Sequence, residues 1–479
     1  MDLRTNLLEL EKISRLLEPS GQERSETRKD VIAYAENFLK NIEKIPAYDL
    51  NENKGKGLLD IPIQEQPVHL EKLLRALHEH VDTQGLNPAS GGHLGYIPGG
   101  GIYYSALADY LADVFNRYAG IFYAGPGAVR MENMLIRWMA GVMGYPSDAA
   151  GNLTTGGSIA NLMGVVTARD AKQIRSADVK DSVIYLSKQV HHSIDKAIRI
   201  AGLGEAVVRH LPLDKKFRII PSELRKLIHE DKVSGKKPFL VVASAGTTDV
   251  GAVDPLEAIG TICREEDLWY HIDAAYGGFF ILTEDGKQKL KGIELSDSLV
   301  IDPHKGLFLP YGLGTILVKE KKHLNASHHY LANYMQDTAG SQEELSPADL
   351  SPELTKHFRG LRLWMPLLLH GLKPFRACLE EKLLLTKYFH EEVKKLGFET
   401  GTEPELSVAT YRFVPQKGDV NEFNRNLQAA VVKDGRVFVS STTLDGVVWL
   451  RMACLAFRTH VSTIDTLLEI LAKETGKRA

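Results

Sequence analysis

Between residues 150 and 320 short apolar, β-branched runs alternate with helical stretches, and this rhythm constrains the fold more than any other feature of the chain. Six runs read as strands: Ser182 to Leu186, Ala206 to Leu211, Phe239 to Ala243, Leu268 to Asp273, Ser298 to Ile301 and Gly314 to Val318. Amphipathic stretches such as Pro221 to Lys232 and Pro255 to Glu266 separate several of them. Strand and helix in alternation predict an α/β fold, a mainly parallel sheet with helices on both faces. The runs are apolar at successive positions rather than every second one, as strands covered on both sides require.

The flanking regions differ in pattern. In residues 1 to 80, Leu3, Leu7, Leu10, Ile13 and Leu17 share one helical face, and Val31, Ala35, Phe38 and Ile42 another. A connector rich in Asn, Gly, Lys and Pro, Asn51 to Gln66, interrupts them. Two further helices carry Leu107, Leu111, Val114 and Phe115, then Met131, Met134, Leu135 and Trp138. From Leu361 a long helical stretch leads to a strand at Val408 to Val414, a helix at Val420 to Lys433, a strand at Val447 to Met452 and a closing helix at Thr463 to Lys473. The expected organisation is an N-terminal helical segment (1–80), a large α/β domain (81–365) and a small C-terminal α+β domain (366–479).

Charge and cysteine usage exclude several functions. A net charge of −3, without long blocks of one sign, gives no basis for binding nucleic acid or an acidic membrane surface. No apolar stretch approaches the roughly 20 residues of a spanning helix. Asp2, Arg4, Glu9 and Glu11 deny the N-terminus the apolar core of a signal peptide. Cys263, Cys378 and Cys454 are too widely spaced for a disulfide framework or a zinc site and read as reduced, mostly buried thiols. A cytoplasmic location, with no membrane and no metal, is the expectation.

Ligand sites in open parallel sheets lie beyond the carboxyl ends of the strands, and four segments fall at such ends. Thr154-Thr155-Gly156-Gly157-Ser158 passes from a glycine turn into a helix. Exposed N–H groups there, with the Ser158 hydroxyl, can hold a phosphate, although the motif alone is more often a plain turn with an N-cap. Tyr270-His271-Ile272-Asp273-Ala274-Ala275-Tyr276 ends a strand in an acid that either caps a turn or pairs with a protonated ring nitrogen, with Ala275 leaving room for a flat ring. Ile301-Asp302-Pro303-His304-Lys305 runs into a lysine followed by an apolar run, a setting that can lower an amine's pKa toward nucleophilic use; most strand-end lysines are solvated charges. In Gln189-Val190-His191-His192-Ser193, adjacent histidines on a helix start point in different directions, which disfavours a two-histidine metal site. A capping role or stacking on a cofactor ring remains open for His191.

The ordered set Gly156-Gly157-Ser158, His191, Asp273-Ala274-Ala275-Tyr276 and Asp302-Pro303-His304-Lys305 resembles the group II PLP-dependent decarboxylases, the family of aromatic-L-amino-acid, histidine and glutamate decarboxylases. The resemblance runs from about residue 70 to 365, through Gly95-Tyr96, Phe358-Arg359-Gly360-Leu361 and Trp364. It continues more loosely to Leu450-Arg451 and Phe457-Arg458-Thr459. It implies a PLP-dependent transferase fold of type I, aspartate-aminotransferase-like, working as a homodimer with active sites at the subunit interface. It implies pyridoxal 5′-phosphate as cofactor, an amino acid as substrate, and decarboxylation to the amine and carbon dioxide. Lys305 would carry the cofactor, Asp273 would keep its ring nitrogen protonated, and His191 and Ala275 would cover the two ring faces. Gly157, Ser158 and His304 would bind phosphate, and Thr247 would lie near the ring. In the Tyr-Leu-x-x-x-x-Gln-Asp stretch, Tyr330 matches the family's loop tyrosine, which helps return a proton to Cα.

Three positions depart from the family pattern. Ile97-Pro98-Gly99-Gly100-Gly101 stands where aromatic members usually have Phe-Pro-Thr, so the glycines are expected to reshape the substrate pocket. Lys356-His357 replaces a frequent arginine pair. Asp302 stands where animal aromatic members have Asn, and an acid beside a phosphate repels it unless turned away. Two alternatives keep the cofactor and change the reaction, to a C–C lyase of the sphingosine-phosphate-lyase kind or an aminotransferase. A third is a binding protein without catalysis, against which Lys305, Asp273 and His191 together argue.

Overall fold

The structure, a computed structural model, describes residues 2–329 and 344–476. The main sheet has seven strands: β1 (Ala150–Thr154), β2 (Ser182–Leu186), β3 (Val207–His210), β4 (Lys237–Ser244), β5 (Trp269–Asp273), β6 (Ser298–Ile301) and β7 (Gly314–Val318). Their spatial order is β1-β7-β6-β5-β4-β2-β3. β7 runs antiparallel to both of its neighbours, and the pairs β6–β5, β5–β4, β4–β2 and β2–β3 are parallel. The carboxyl ends of β1 to β6 therefore share one edge of the sheet.

Both faces of the sheet are covered, which explains the unbroken apolar runs. Val183 and Tyr185 of β2, with Val241 and Ala243 of β4, enter one core. Their neighbours Ile184 and Leu186, with Leu240 and Val242, enter the other. The strand period of two is present, but each side of it meets its own apolar layer.

Before the sheet come α1 (Leu3–Ser14), α2 (Gly21–Asn41), α3 (Leu70–Leu77), α4 (Tyr103–Phe115) and α5 (Pro126–Val142). Asp2 caps α1, and a Ser20–Glu23 capping box starts α2. No residue of α1 or α2 is buried. In α4, Ala108 and Ala112 are buried, Leu107 and Leu111 half-buried, and Val114 and Phe115 exposed, so the core side of this helix is set by alanines.

A second sheet holds β8 (Val408–Arg412), β9 (Phe438–Leu444) and β10 (Val447–Ala453), flanked by Glu399–Thr400 on one edge. On its other edge His93–Leu94 pairs in parallel with β9, so a strand from far earlier in the chain completes this sheet. Helices Leu372–Lys395, Val420–Asp434 and Val461–Glu474 supply its core, for example Phe389, Leu427 and Leu467. Among the described residues no helix is long and apolar enough to cross a membrane. Cys263 and Cys454 are buried, Cys378 is half-buried, and all three are free thiols.

Candidate active site

The segments that leave β1, β2, β4, β5 and β6 converge on one cavity of about 390 Å³. Gly157, Ser158, His191, Thr247, Asp273, Ala275, His304 and Lys305 all line it, together with Asn161, Ser193 and Asp302. Tyr330 lies outside the described residues.

At the end of β1 the chain turns into α6 (Gly157–Ala171), which begins with no side-chain cap. Its first N–H groups are therefore free to meet an anion. A side chain would not fit at Gly157, because its Cβ would come within 2.9 Å of an Asp302 carboxylate oxygen and 3.2 Å of the Ala275 methyl.

Asp273 ends β5 and is buried. Its Oδ2 accepts from Asn161 Nδ2 at 2.9 Å and its Oδ1 from the Ala275 N–H at 3.1 Å. Among the described residues no lysine, arginine or histidine forms an ion pair with it. His191 comes just before α7 (Ser193–Ile200). Its Nδ1 accepts from the Ser193 hydroxyl at 2.8 Å and the Ser193 N–H at 3.3 Å, and burial lowers its pKa. The His191 and His192 rings lie together, 4.0 Å between centroids, rather than diverging, because neither has entered the helix. No group of three or more possible metal ligands exists among the described residues.

Lys305 follows β6 in a short helical turn, with Nζ 2.9 Å from Asp302 Oδ2. Burial disfavours its ammonium, but the Asp302 carboxylate outweighs burial and holds the lysine above its ordinary range. The sequence-based expectation of a lowered pKa is thereby corrected, since it weighed the apolar neighbours and not the acid three residues earlier. Asp302 is turned onto Lys305. His304 donates from Nδ1 to the Leu313 carbonyl at 2.6 Å, and burial lowers its pKa.

Thr247 is buried, and its hydroxyl accepts from the Ala252 N–H at 3.0 Å. The loop that carries it is clamped from the second sheet. Arg451 of β10 donates to the Thr248 carbonyl, to the Asp249 carbonyl at 2.8 Å and to Ser440 Oγ at 2.7 Å. The Gly99 to Gly101 run, in contrast, borders a separate cavity of about 310 Å³ with Leu309, Pro310 and Tyr311. A Cβ at Gly99 would sit 2.2 Å from the His304 carbonyl oxygen, and Gly100 and Gly101 have φ of +93° and +71°. Close backbone approach and left-handed turns account for these glycines, and none of them lines the site cavity.

Asn161, Ser193 and Arg451 carry weight that sequence reasoning did not assign. The signal for Asn161 was its spacing: it follows Gly157 by four residues and precedes Gly164 by three, one polar group between two glycines on one helical face. Taken together, the cavity offers an amine, a carboxylate in no ion pair among the described residues, an imidazole and an uncapped helix start. This set fits a flat ring that bears a phosphate, a cationic nitrogen and a carbonyl.

Comparison with known proteins points the same way. The pyridoxal-dependent decarboxylase conserved domain matches residues 52–414. An aromatic-L-amino-acid decarboxylase of Bacillus atrophaeus is 33% identical over 450 residues, covering 93% of this chain and 92% of the relative. An L-2,4-diaminobutyrate decarboxylase of Acinetobacter baumannii is 31% identical, covering 77% and 76%. Among solved structures, an Oryza sativa TDC with PLP and tryptamine superposes with a TM-score of 0.90 at 23% identity, covering 96% of this chain and 99% of that one.

Proposed function

The chain belongs to the pyridoxal-dependent decarboxylase family and decarboxylates an amino acid with pyridoxal 5′-phosphate, and from that premise we propose which residues do the work. Lys305 holds the cofactor through its amine. The observation that carries this reading is Asp273, a buried carboxylate held by two N–H donors and, among the described residues, in no ion pair with a protein cation, in the same cavity as the Lys305 amine. Asp273 pairs with the cofactor's ring nitrogen. His191 and Ala275 cover the two ring faces. The start of α6, with Gly157 and Ser158, holds the phosphate with help from His304, and Thr247 borders the ring. When bound, pyridoxal phosphate supplies an electron sink for the pair released as the α-carboxylate leaves. The protein's share is orientation and exclusion of water around that bond.

Tyr330 is assigned the return of a proton to Cα on its sequence match alone. Tyr330→Phe is expected to release carbon dioxide while the fraction of substrate recovered as amine falls. Equal yields of amine and carbon dioxide from that variant would move the proton donor elsewhere. The substrate assay itself is a panel of carboxyl-labelled L-amino acids incubated with the loaded enzyme, with carbon dioxide, amine and keto acid all followed. Release of labelled carbon dioxide with stoichiometric amine supports the reading, and keto acid alone opposes it.

Assembly is the second part of the proposal. Leu3, Leu7, Leu10 and Ile13 of α1 are exposed, as are Tyr103 and Tyr104 of α4. An apolar stripe of this kind needs a partner surface, and a second copy of the chain is the proposed partner, forming a homodimer with its active sites at the interface. Light scattering should give twice the chain mass, and removal of residues 1–41 should reduce it toward one. The division into 1–80, 81–365 and 366–479 is retained as a working description, with His93–Leu94 lending its strand to the second sheet. The three free thiols support a reducing, cytoplasmic setting.

A further inference from the structure

The polar side chains behind the cavity form one buried chain of hydrogen bonds whose direction can be worked out bond by bond. Trp269 Nε1 can only donate, and it donates to Ser298 Oγ at 2.8 Å. The Ser298 hydroxyl hydrogen is thus free for His271 Nδ1, 2.7 Å away. Burial pushes the His271 imidazole down to about 4, so the ring is neutral near pH 7. A neutral ring that accepts at Nδ1 donates from Nε2, and Asn161 Oδ1 lies 3.0 Å from that nitrogen. The Asn161 amide then points its two hydrogens the other way, to Asp273 Oδ2 at 2.9 Å and Ser193 Oγ at 3.0 Å. The opposite amide orientation would face an oxygen lone pair to the Asp273 carboxylate and leave His271 without an acceptor.

Beyond Asn161 the chain reaches His191. Because Ser193 Oγ accepts from Asn161, its own hydrogen goes to His191 Nδ1, where the Ser193 N–H also points. Asn161, Ser193, His271, Ser298 and Trp269 are all buried. Gly164 makes room for this arrangement, since a Cβ there would meet the His271 ring at 2.5 Å.

We propose that Asn161 is a positioning residue that couples Asp273 to His191. Its two amide hydrogens, directed by the Trp269–Ser298–His271 chain, aim the Asp273 carboxylate into the cavity and, by turning the Ser193 hydroxyl hydrogen onto Nδ1 beside the longer Ser193 N–H contact, hold His191 as the tautomer protonated on Nε2. The role rests on the reading of Asp273 and His191 as the groups beside the cofactor ring, but the tautomer itself is a property of the protein alone.

The test is nitrogen NMR of the full-length chain with ¹⁵N-labelled histidine, without and then with pyridoxal phosphate. His191 should show a single neutral form protonated at Nε2. Asn161→Leu, of similar volume and without hydrogen bonds, should turn it into a mixture of tautomers and weaken cofactor binding by about tenfold, the scale of one lost hydrogen bond to a charge. His271→Gln provides the conservative control: its side chain accepts from Ser298 and donates to Asn161 in the same order, so the His191 signal should remain that of the wild type. His271→Leu breaks the order and should again give a mixture. If Asn161→Leu does not fold, the two His271 variants decide the question. A pure Nε2-protonated His191 in both Asn161→Leu and His271→Leu would overturn the proposal. A mixture in those variants, in a protein whose Lys305 takes no cofactor, would sustain the coupling and defeat the functional reading instead.

Discussion

Two carboxylates share the cavity and are held in opposite ways. Asp273, at the end of β5, is fixed by two neutral N–H donors and meets no protein cation among the described residues. Asp302, just past β6, is neutralised by Lys305 at 2.9 Å, and its Oδ1 has no hydrogen-bond partner among the described residues. Neutral donors orient a charge without cancelling it, whereas an ion pair cancels it and surrenders the partner's freedom. Asp273 is thus available to a cation that a ligand brings. Asp302 is committed to the protein's own amine and loses that partner once the amine is used.

The sharpest break is at Lys305. Lys305→Ala should abolish turnover while pyridoxal phosphate still binds without a covalent link, read by equilibrium dialysis against absorbance. Next in size, Asp273→Asn should lower kcat/KM by about 10² to 10³, the cost of leaving a buried ring cation without its carboxylate. Near wild-type turnover at saturating cofactor would remove Asp273 from that role.

A smaller effect concerns acid stability on the Asp273 side. His271 titrates near 4 when folded against 6.5 otherwise, so the unfolded chain binds the extra proton between those values. Stability from this group is complete above pH 6.5 and falls as pH drops toward 4, by at most about 3 kcal/mol. Urea melts of the wild type and His271→Gln should diverge in dependence on pH over that window and run parallel above it.

The least effect is expected on the Asp302 side. With its carboxylate removed, the main opposition to burial at Lys305 is lost, leaving Asp273 and Tyr311, and its raised pKa falls. Asp302→Asn should therefore move the pH profile of cofactor loading to lower pH, by about one unit for each 1.4 kcal/mol of lost pairing. An unmoved profile would show that the Asp302–Lys305 pair does not govern the amine.

The same contrast separates what the sequence disclosed from what it hid. Largely apolar runs specify β2, β6 and β7 to the residue, because burial on both faces favours apolar side chains at successive positions. β1, Ala-Gly-Asn-Leu-Thr, carries no strand signal in its sequence, since Gly and Asn are poor strand formers. Gly151 is there because a Cβ would lie 2.3 Å from the Ile316 carbonyl oxygen of the neighbouring strand. β9 hid its pattern behind Ser440, Ser441, Thr442 and Thr443. Lys305, Asp273 and His191 stood at strand ends and were legible there. Asp302 and Ser193 are near neighbours of Lys305 and His191, but the partner that orients Asp273 lies far off in sequence: Asn161 is 112 residues from Asp273 and 110 from His271. Local pattern cannot announce such pairs. The glycines at 99 to 101 carry a backbone role that the local motif does not disclose: a Cβ at Gly99 would meet the His304 carbonyl oxygen, and Gly100 and Gly101 have positive φ.

The central claim is that Lys305 carries the cofactor in a cavity whose free carboxylate is Asp273. Its most direct test is borohydride reduction of the protein loaded with pyridoxal phosphate, followed by digestion and mass spectrometry of the labelled peptide. The reduced cofactor should be found on Lys305 alone, with Asp273→Asn still labelled there and Lys305→Ala unlabelled. Stoichiometric label on any other lysine, or label persisting in Lys305→Ala, would contradict it.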